Sequence, residues 1–183
     1  MTVPLRLAAL TATAISSAPT GGGWYAAMER AIAQGHTAAW LAGTAERLGV
    51  KPGGALLSER RLSRAERADI KAAVAAQLRY LEGFAAARGE MSEAAIKTRA
   101  ELYALSTQAT YHAARWGDWE LPFVPCDGSS ECLGRCRCSA SVADNGDGSG
   151  VYTWTLGAGE SERHCGTCPG RAGDHPVKRR RAA

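Results

Sequence analysis

Cys126-Asp127-Gly128-Ser129-Ser130-Glu131-Cys132-Leu133-Gly134-Arg135-Cys136-Arg137-Cys138 and, 26 residues further on, Cys165-Gly166-Thr167-Cys168 contain all six cysteines of the chain. Two close-set cysteine groups on either side of a Gly/Asp-rich stretch have the spacing of the two knuckles of a small metal site. A Zn²⁺ ion takes four thiolate or imidazole ligands in a tetrahedron, and short loops can supply two from each side. Cys165-x2-Cys168 fits such a knuckle closely. On the other side Cys132, Cys136 and Cys138 are three candidates for two places. The candidate ligands are therefore Cys132, Cys136, Cys138, Cys165 and Cys168, with His164 as a possible substitute. Cys126 stands outside this set, as a thiol or a small buried side chain. An even cysteine count also fits a disulfide framework, and the redox compartment decides between the two. Clustering in one segment favours the metal.

The residues between the groups explain how the two could meet. Cys136 to Val142 and Val151 to Leu156 read as short strands, joined by Asp144-Asn145-Gly146-Asp147-Gly148-Ser149-Gly150. That run is rich in hairpin-turn residues. A hairpin here carries the first cysteine group to the side of Cys165 and Cys168. A calcium loop does not fit: acidic residues do not alternate, and the twelfth position from Asp144 is Thr155 where a glutamate is needed.

Upstream the pattern is helical. Gly21-Gly22-Gly23 closes an N-terminal arm, residues 1–22, and a helix is predicted from Trp24 to Leu48 with Gly35 as a bend or break. His36 within it reads as a packed, structural histidine. Ser63-Arg64-Ala65-Glu66 is a capping box opening a second helix. Ile70, Val74, Leu78, Leu81 and Phe84 then recur at three- and four-residue steps, and Gly89 marks the end. Ser92 caps a third helix to Trp116, with Ile96, Ala100, Tyr103, Thr107 and Tyr111 on one stripe. The short connection predicts antiparallel pairing of the second and third helices. The tyrosines and Trp116 at helical spacing read as core and interface.

These signals predict a mainly α fold, α+β overall: an antiparallel helical portion over 23–117, a zinc-ribbon-like β-hairpin module over 118–173, and a basic disordered tail over 174–183. The chain has 183 residues and 45% hydrophobic content, enough for one domain and a small appendage. No apolar run approaches the ~20 residues of a membrane span. Leu7 to Ile15 with Ser16-Ser17-Ala18 is a weak match to an export signal. Pro19 directly after the cleavage position opposes it, so a flexible arm and a reducing compartment are expected.

The run from Leu121-Pro122 through Cys132-Leu133-Gly134-Arg135-Cys136-Arg137-Cys138, Trp154-Thr155-Leu156-Gly157 and His164-Cys165-Gly166-Thr167-Cys168 resembles a group of tailed-phage and prophage minor head, or head-morphogenesis, proteins. In that group a helical portion precedes a Cys-Arg-Cys and Cys-x2-Cys module. The likeness covers about residues 24 to 170. Glycine is usual there where Cys126 stands, which implies no ligand role for Cys126. The resemblance implies a structural capsid component near the portal, assembled in the bacterial host cytoplasm. Its partners would be portal, major capsid protein or packaged DNA, the last through Lys178, Arg179, Arg180 and Arg181.

A second reading is a zinc-ribbon nucleic-acid binder using Arg135, Arg137, Arg163, Arg171 and the same basic end. The net charge of +4 is mild, and Asp127, Glu131, Asp144, Asp147, Glu160 and Glu162 offset much of the local charge. An enzyme is not expected. No nucleophile with a paired base and no phosphate loop is found, and Glu160 or Glu162 as base would need an open metal site, which five available cysteines argue against.

Overall fold

The computed structural model describes residues 24–50, 62–127, 129–130, 136–157 and 165–180. Its architecture is α+β and mainly helical, with a small three-stranded antiparallel sheet at the C-terminal end. Helix α1 spans Trp24–Arg47, α2 Arg64–Ala87, α3 Glu93–Leu105 and α4 Thr107–Arg115. No helix among the described residues is long and apolar enough to cross a membrane.

Helix α1 is the shared partner of the others. Trp24, Met28, Ile32, His36, Trp40 and Thr44 recur every fourth residue and are all buried. That spacing keeps them on one face. Helix α2 runs antiparallel to α1. Leu81 and Phe84 near its end meet Trp24 and Met28, and Ile70 near its start meets Trp40. Phe84 also stacks on Tyr103 of α3, with ring centroids 5.7 Å apart. The second and third helices are thus antiparallel as expected, but each has its closer backbone contacts with α1, α4 above all.

Gly43 makes the α1–α4 approach possible. A Cβ there would fall on the carbonyl oxygen of Tyr111, and within 3.0 Å of Ala114 Cβ and Arg115 N. Tyr111 donates its hydroxyl hydrogen bond to Glu46, which also accepts from Arg115 at 2.8 Å.

The capping box forms as read. Ser63 Oγ accepts from Glu66 N at 3.1 Å, and Glu66 Oε2 accepts from Ser63 N at 2.8 Å. Three helical expectations are corrected. Helix α1 passes through Gly35 unbroken, and Gly35 is buried within it. Helix α2 ends before Gly89, in a 3₁₀ turn over Arg88–Glu90. The single helix expected from Glu93 to Trp116 is two, parted at Ser106, whose hydroxyl donates to Tyr103 O at 2.6 Å.

That break lies beside a buried polar knot. His36 Nδ1 is 2.6 Å from Thr110 Oγ1 and His36 Nε2 is 3.4 Å from Ser106 Oγ. Since the Ser106 proton goes to Tyr103, Nε2–H is the donor to Ser106, and Nδ1 accepts from Thr110. The neutral ring fits this knot, as the structural reading of His36 requires. Burial lowers the His36 pKa to about 4, and burial followed by Arg115 lowers that of His112 to about 4. An unfolded histidine titrates near 6.5. Below that pH the unfolded chain takes up protons that the folded chain refuses. Stability is full above about pH 6.5 and falls as pH drops toward 4. By pH 5 each ring costs about 2 kcal/mol. Ring-proton NMR titration is expected to give both midpoints near 4; midpoints near 6.5 would contradict the burial argument.

Strands β1 Ser139–Asp144, β2 Ser149–Thr155 and β3 Gly173–Lys178 form one sheet in the order β1-β2-β3. Ala140 pairs with Trp154, Val142 with Tyr152, Tyr152 with His175 and Gly150 with Val177. With a side-chain period of two, these residues share one face. On it lie buried Ala140, Gly150, Tyr152, Trp154 and Val177, packed with Trp116 and Trp119. Gly150 has no side chain because the Trp119 ring would stand 2.8 Å from its Cβ. The expected hairpin is present, although β1 begins at Ser139, leaving Cys136 to Cys138 just before it.

The basic tail expected over 174–183 is corrected. Residues 174–178 belong to β3, Arg179 bridges to Trp119, and Glu120 N donates to Lys178 O at 2.9 Å. The physical reason is that β3 is an edge strand. It needs only His175 and Val177 facing inward, and it tolerates Pro176, which brings no N–H.

Candidate metal centre

The Cys cluster forms at one end of the sheet, where β1 begins, β2 ends and β3 is about to begin. Cys136, Cys138 and Cys168 place their sulfurs all within 4.8 Å of one another. Cys136 Sγ and Cys168 Sγ are 3.9 Å apart, and Cys165 Sγ lies 3.3 Å from Cys168 Sγ. A disulfide needs ~2.05 Å, and no disulfide joins the described cysteines. Four sulfurs each ~2.3 Å from a tetrahedral zinc would stand about 3.8 Å apart. Cys136, Cys138 and Cys168 are therefore close enough to hold a metal ion.

Of the five predicted ligands, Cys136, Cys138 and Cys168 are brought within 4.8 Å of one another, while Cys165 touches Cys168 at 3.3 Å but stands outside that group of three. Cys132 lies outside the described residues, as do His164, Arg135, Arg163, Glu160, Glu162 and Arg181.

Backbone groups support the sulfurs. Gly157 N–H bonds to the Cys138 sulfur. The close approach needs glycine, since a Cβ on Gly157 would run into the carbonyl of Arg137. Cys136 is held down to about 5, first because the Cys126 thiol hydrogen-bonds its sulfur and then by N–H groups of Cys138 and Cys126, against the opposing effect of burial. Burial pushes Cys138 up, and the neighbouring Cys136 charge adds to the rise. One sulfur of the pair is thus set to lose its proton first.

The surroundings are apolar and aromatic. Cys136 and Cys168 are buried in the same cluster as Trp116, Trp119, Tyr152 and Trp154. His112 stacks on Trp116 with centroids 5.0 Å apart, and Trp116 meets Tyr152 edge-on, so Trp116, just past the end of α4, links that helix to the sheet.

One group at the centre was not singled out from the sequence, and another was read for a different role. Gln108 of α4 is buried with its Oε1 3.1 Å from the Cys126 thiol, linking the helices to the cysteine loop. Arg171, read above as a phosphate contact, is a clamp. It donates to Ser129 Oγ and Ser129 O at 3.0 Å each, lies 4.0 Å from Asp127, and covers the Phe123 ring at 4.8 Å. Arg171→Lys keeps the charge but loses the fork and the planar stacking. It is expected to cost about 1–2 kcal/mol by urea unfolding; an unchanged midpoint would show that the clamp is ornamental.

The basic end is also engaged. Arg179 pairs with Asp144 at 2.6 Å and covers Trp119 at 5.3 Å, and Arg180 Nε donates to Trp119 O at 3.1 Å. Arg137, between Cys136 and Cys138, is exposed.

No family model, curated protein or solved structure matches the chain. The residues and their geometry therefore carry the functional reading.

Proposed function

We propose that this protein is a non-catalytic structural or assembly component of a tailed-phage head, with a C-terminal module organised by one structural zinc ion. Cys136, Cys138, Cys165 and Cys168 hold the ion, with Cys132 as the fifth candidate. The observation that supports the metal is the convergence of the Cys136, Cys138 and Cys168 sulfurs within 4.8 Å of one another, from two segments 26 residues apart, with Cys165 beside Cys168 as the fourth donor. Bound zinc supplies folding free energy that so small a sheet lacks. Four thiolates make a closed site, the structural kind, and leave no position for substrate.

The head assignment is supported by the resemblance of the Cys-Leu-x2-Cys-Arg-Cys and distant Cys-x2-Cys run to minor head proteins. Its partners are portal or major capsid protein, in a homo- or hetero-oligomeric assembly, with packaged DNA as a further contact through Lys178, Arg179, Arg180 and Arg181. The nucleic-acid reading is weakened because Arg171 and Arg179 are already bonded to acidic residues and aromatic rings.

The test is to purify heads from a lysate of the phage or lysogen encoding the chain, then cross-link and identify neighbours by mass spectrometry. The chain is expected in heads at a fixed ratio to portal, cross-linked to portal or capsid protein. Its absence from heads, or salt-dependent duplex binding by the free protein as its main activity, would overturn the assignment.

A further inference from the structure

We propose that β1 is a docking strand for a second copy of this chain, and that two molecules pair antiparallel along it, joining their three-stranded sheets into one. This pairing neither requires nor tests the head assignment. Ladder hydrogen bonds alternate between neighbours, so every second residue of an edge strand turns its N–H and C=O outward. In the order β1-β2-β3 the edges are β1 and β3. Such an edge is a template for another strand unless it is blunted or covered.

The two edges are built differently. Strand β3 is blunted by Pro176, which has no N–H, and by exposed Asp174 and Lys178. Its end is also covered. Glu120 N donates to Lys178 O at 2.9 Å, Arg180 N donates to Asp118 O at 2.8 Å, and Trp119 bridges to Arg179. Strand β1 reads Ser-Ala-Ser-Val-Ala-Asp and has none of these devices. It holds no proline, lysine or arginine, and its one charge is at its last residue. Among the described residues β1 pairs with β2 alone. Ser139, Ser141 and Ala143 are exposed, and side chains so small do not shield a backbone edge.

The ends of β1 identify the occupant. Exposed Arg137 stands before the strand, and exposed Asp144 and Asp147 stand at its far end and in the turn. Asp144 is paired with Arg179 at 2.6 Å. Neither Arg137 nor Asp147 has an oppositely charged partner among the described residues. An antiparallel copy lays the Arg137 end of each molecule beside the acidic turn of the other, so one two-fold axis brings two favourable charge pairings. A parallel copy sets like ends together. With the axis through the sheet near Ser141, Ala140 and Val142 of both copies stay on the aromatic face. A pairing of 6 residues buries less than the ~1,200 Å² of a stable interface. The dimer is therefore weak in dilute solution and gains strength where an assembly holds copies side by side.

Sedimentation velocity of the full chain under reducing conditions, from about 10 to about 500 μM, spans the range of a weak dimer. Hydrogen exchange at both concentrations reads β1. The chain is expected to pass from monomer to dimer, with β1 amides exchanging several-fold more slowly at the higher concentration and α1 to α4 unchanged. Ser141→Lys sets two ammonium groups beside the axis and is expected to weaken the dimer roughly tenfold or more. Thr155→Lys puts the same charge on β2, the central strand, and is expected to dimerise like the wild type, with circular dichroism confirming that both variants fold. A chain that stays monomeric at the top concentration overturns the proposal. So does protection of β1 at every concentration without a dimer, which would mean that a segment of the same chain covers the edge. A Ser141→Lys dimer as tight as the wild type also overturns it.

Discussion

Gly43→Ala is expected to destabilise the protein by 3 kcal/mol or more, roughly the upper end for overpacking. The added methyl meets backbone on the facing helix: the Tyr111 carbonyl, with Arg115 N at 3.0 Å. Neither can rotate away as a side-chain tip would, so α1 and α4 must separate. The damage spreads, because α4 also carries Gln108 and Trp116 to the cysteine module. Gly83→Ala provides the opposite case. It is an exposed position inside α2 with nothing within 4 Å of the new Cβ. There the same change is expected to stabilise by about 0.5–1 kcal/mol through helix propensity. Urea unfolding followed by circular dichroism measures both. A neutral Gly43→Ala would mean that α1 and α4 are not held at this distance.

Removing the proposed metal is expected to have the larger effect on the C-terminal third. Chelation, or Cys168→Ser, should unfold the sheet while α1 to α4 keep most of their helical signal. Structural zinc sites supply on the order of 10 kcal/mol in small domains, more than three short strands can replace. Cys168 is 2% exposed within the cluster containing Trp116, Trp119 and Trp154, so the loss should shift tryptophan emission to the red. Proteolysis should then cut within residues 136–180. Unchanged emission and protection after chelation would contradict a metal-dependent module.

How much of this was legible in the sequence follows from the range of each interaction. The Ser63–Glu66 box and the Ile70, Leu81, Phe84 stripe are local patterns, and they form as read. The hairpin is equally local, since Asp144 to Gly150 carries its own turn chemistry. The cysteine cluster was legible because ligand spacing constrains both groups. What sequence patterns missed depends on partners far along the chain. Gly43 looks like a weak point in a helix until Tyr111 is placed beside it. The parting at Ser106 has no glycine or proline to announce it, and goes with the contact to His36 seventy residues earlier. Strand β3 has a proline and charged residues, and its membership becomes visible only when Tyr152 and His175 are seen to pair. Arg171 and Arg179 read as free cations because the carboxylates and rings that hold them come from other segments.

The central claim is that Cys136, Cys138, Cys165 and Cys168 hold one metal ion. Native mass spectrometry of the full chain purified under reducing conditions, with an alkylation footprint of the same sample, tests it most directly. The account predicts one zinc per chain, with these four thiols protected until a chelator is added and then modified together. A metal-free chain whose four thiols alkylate at once, or are found as disulfides, would contradict it.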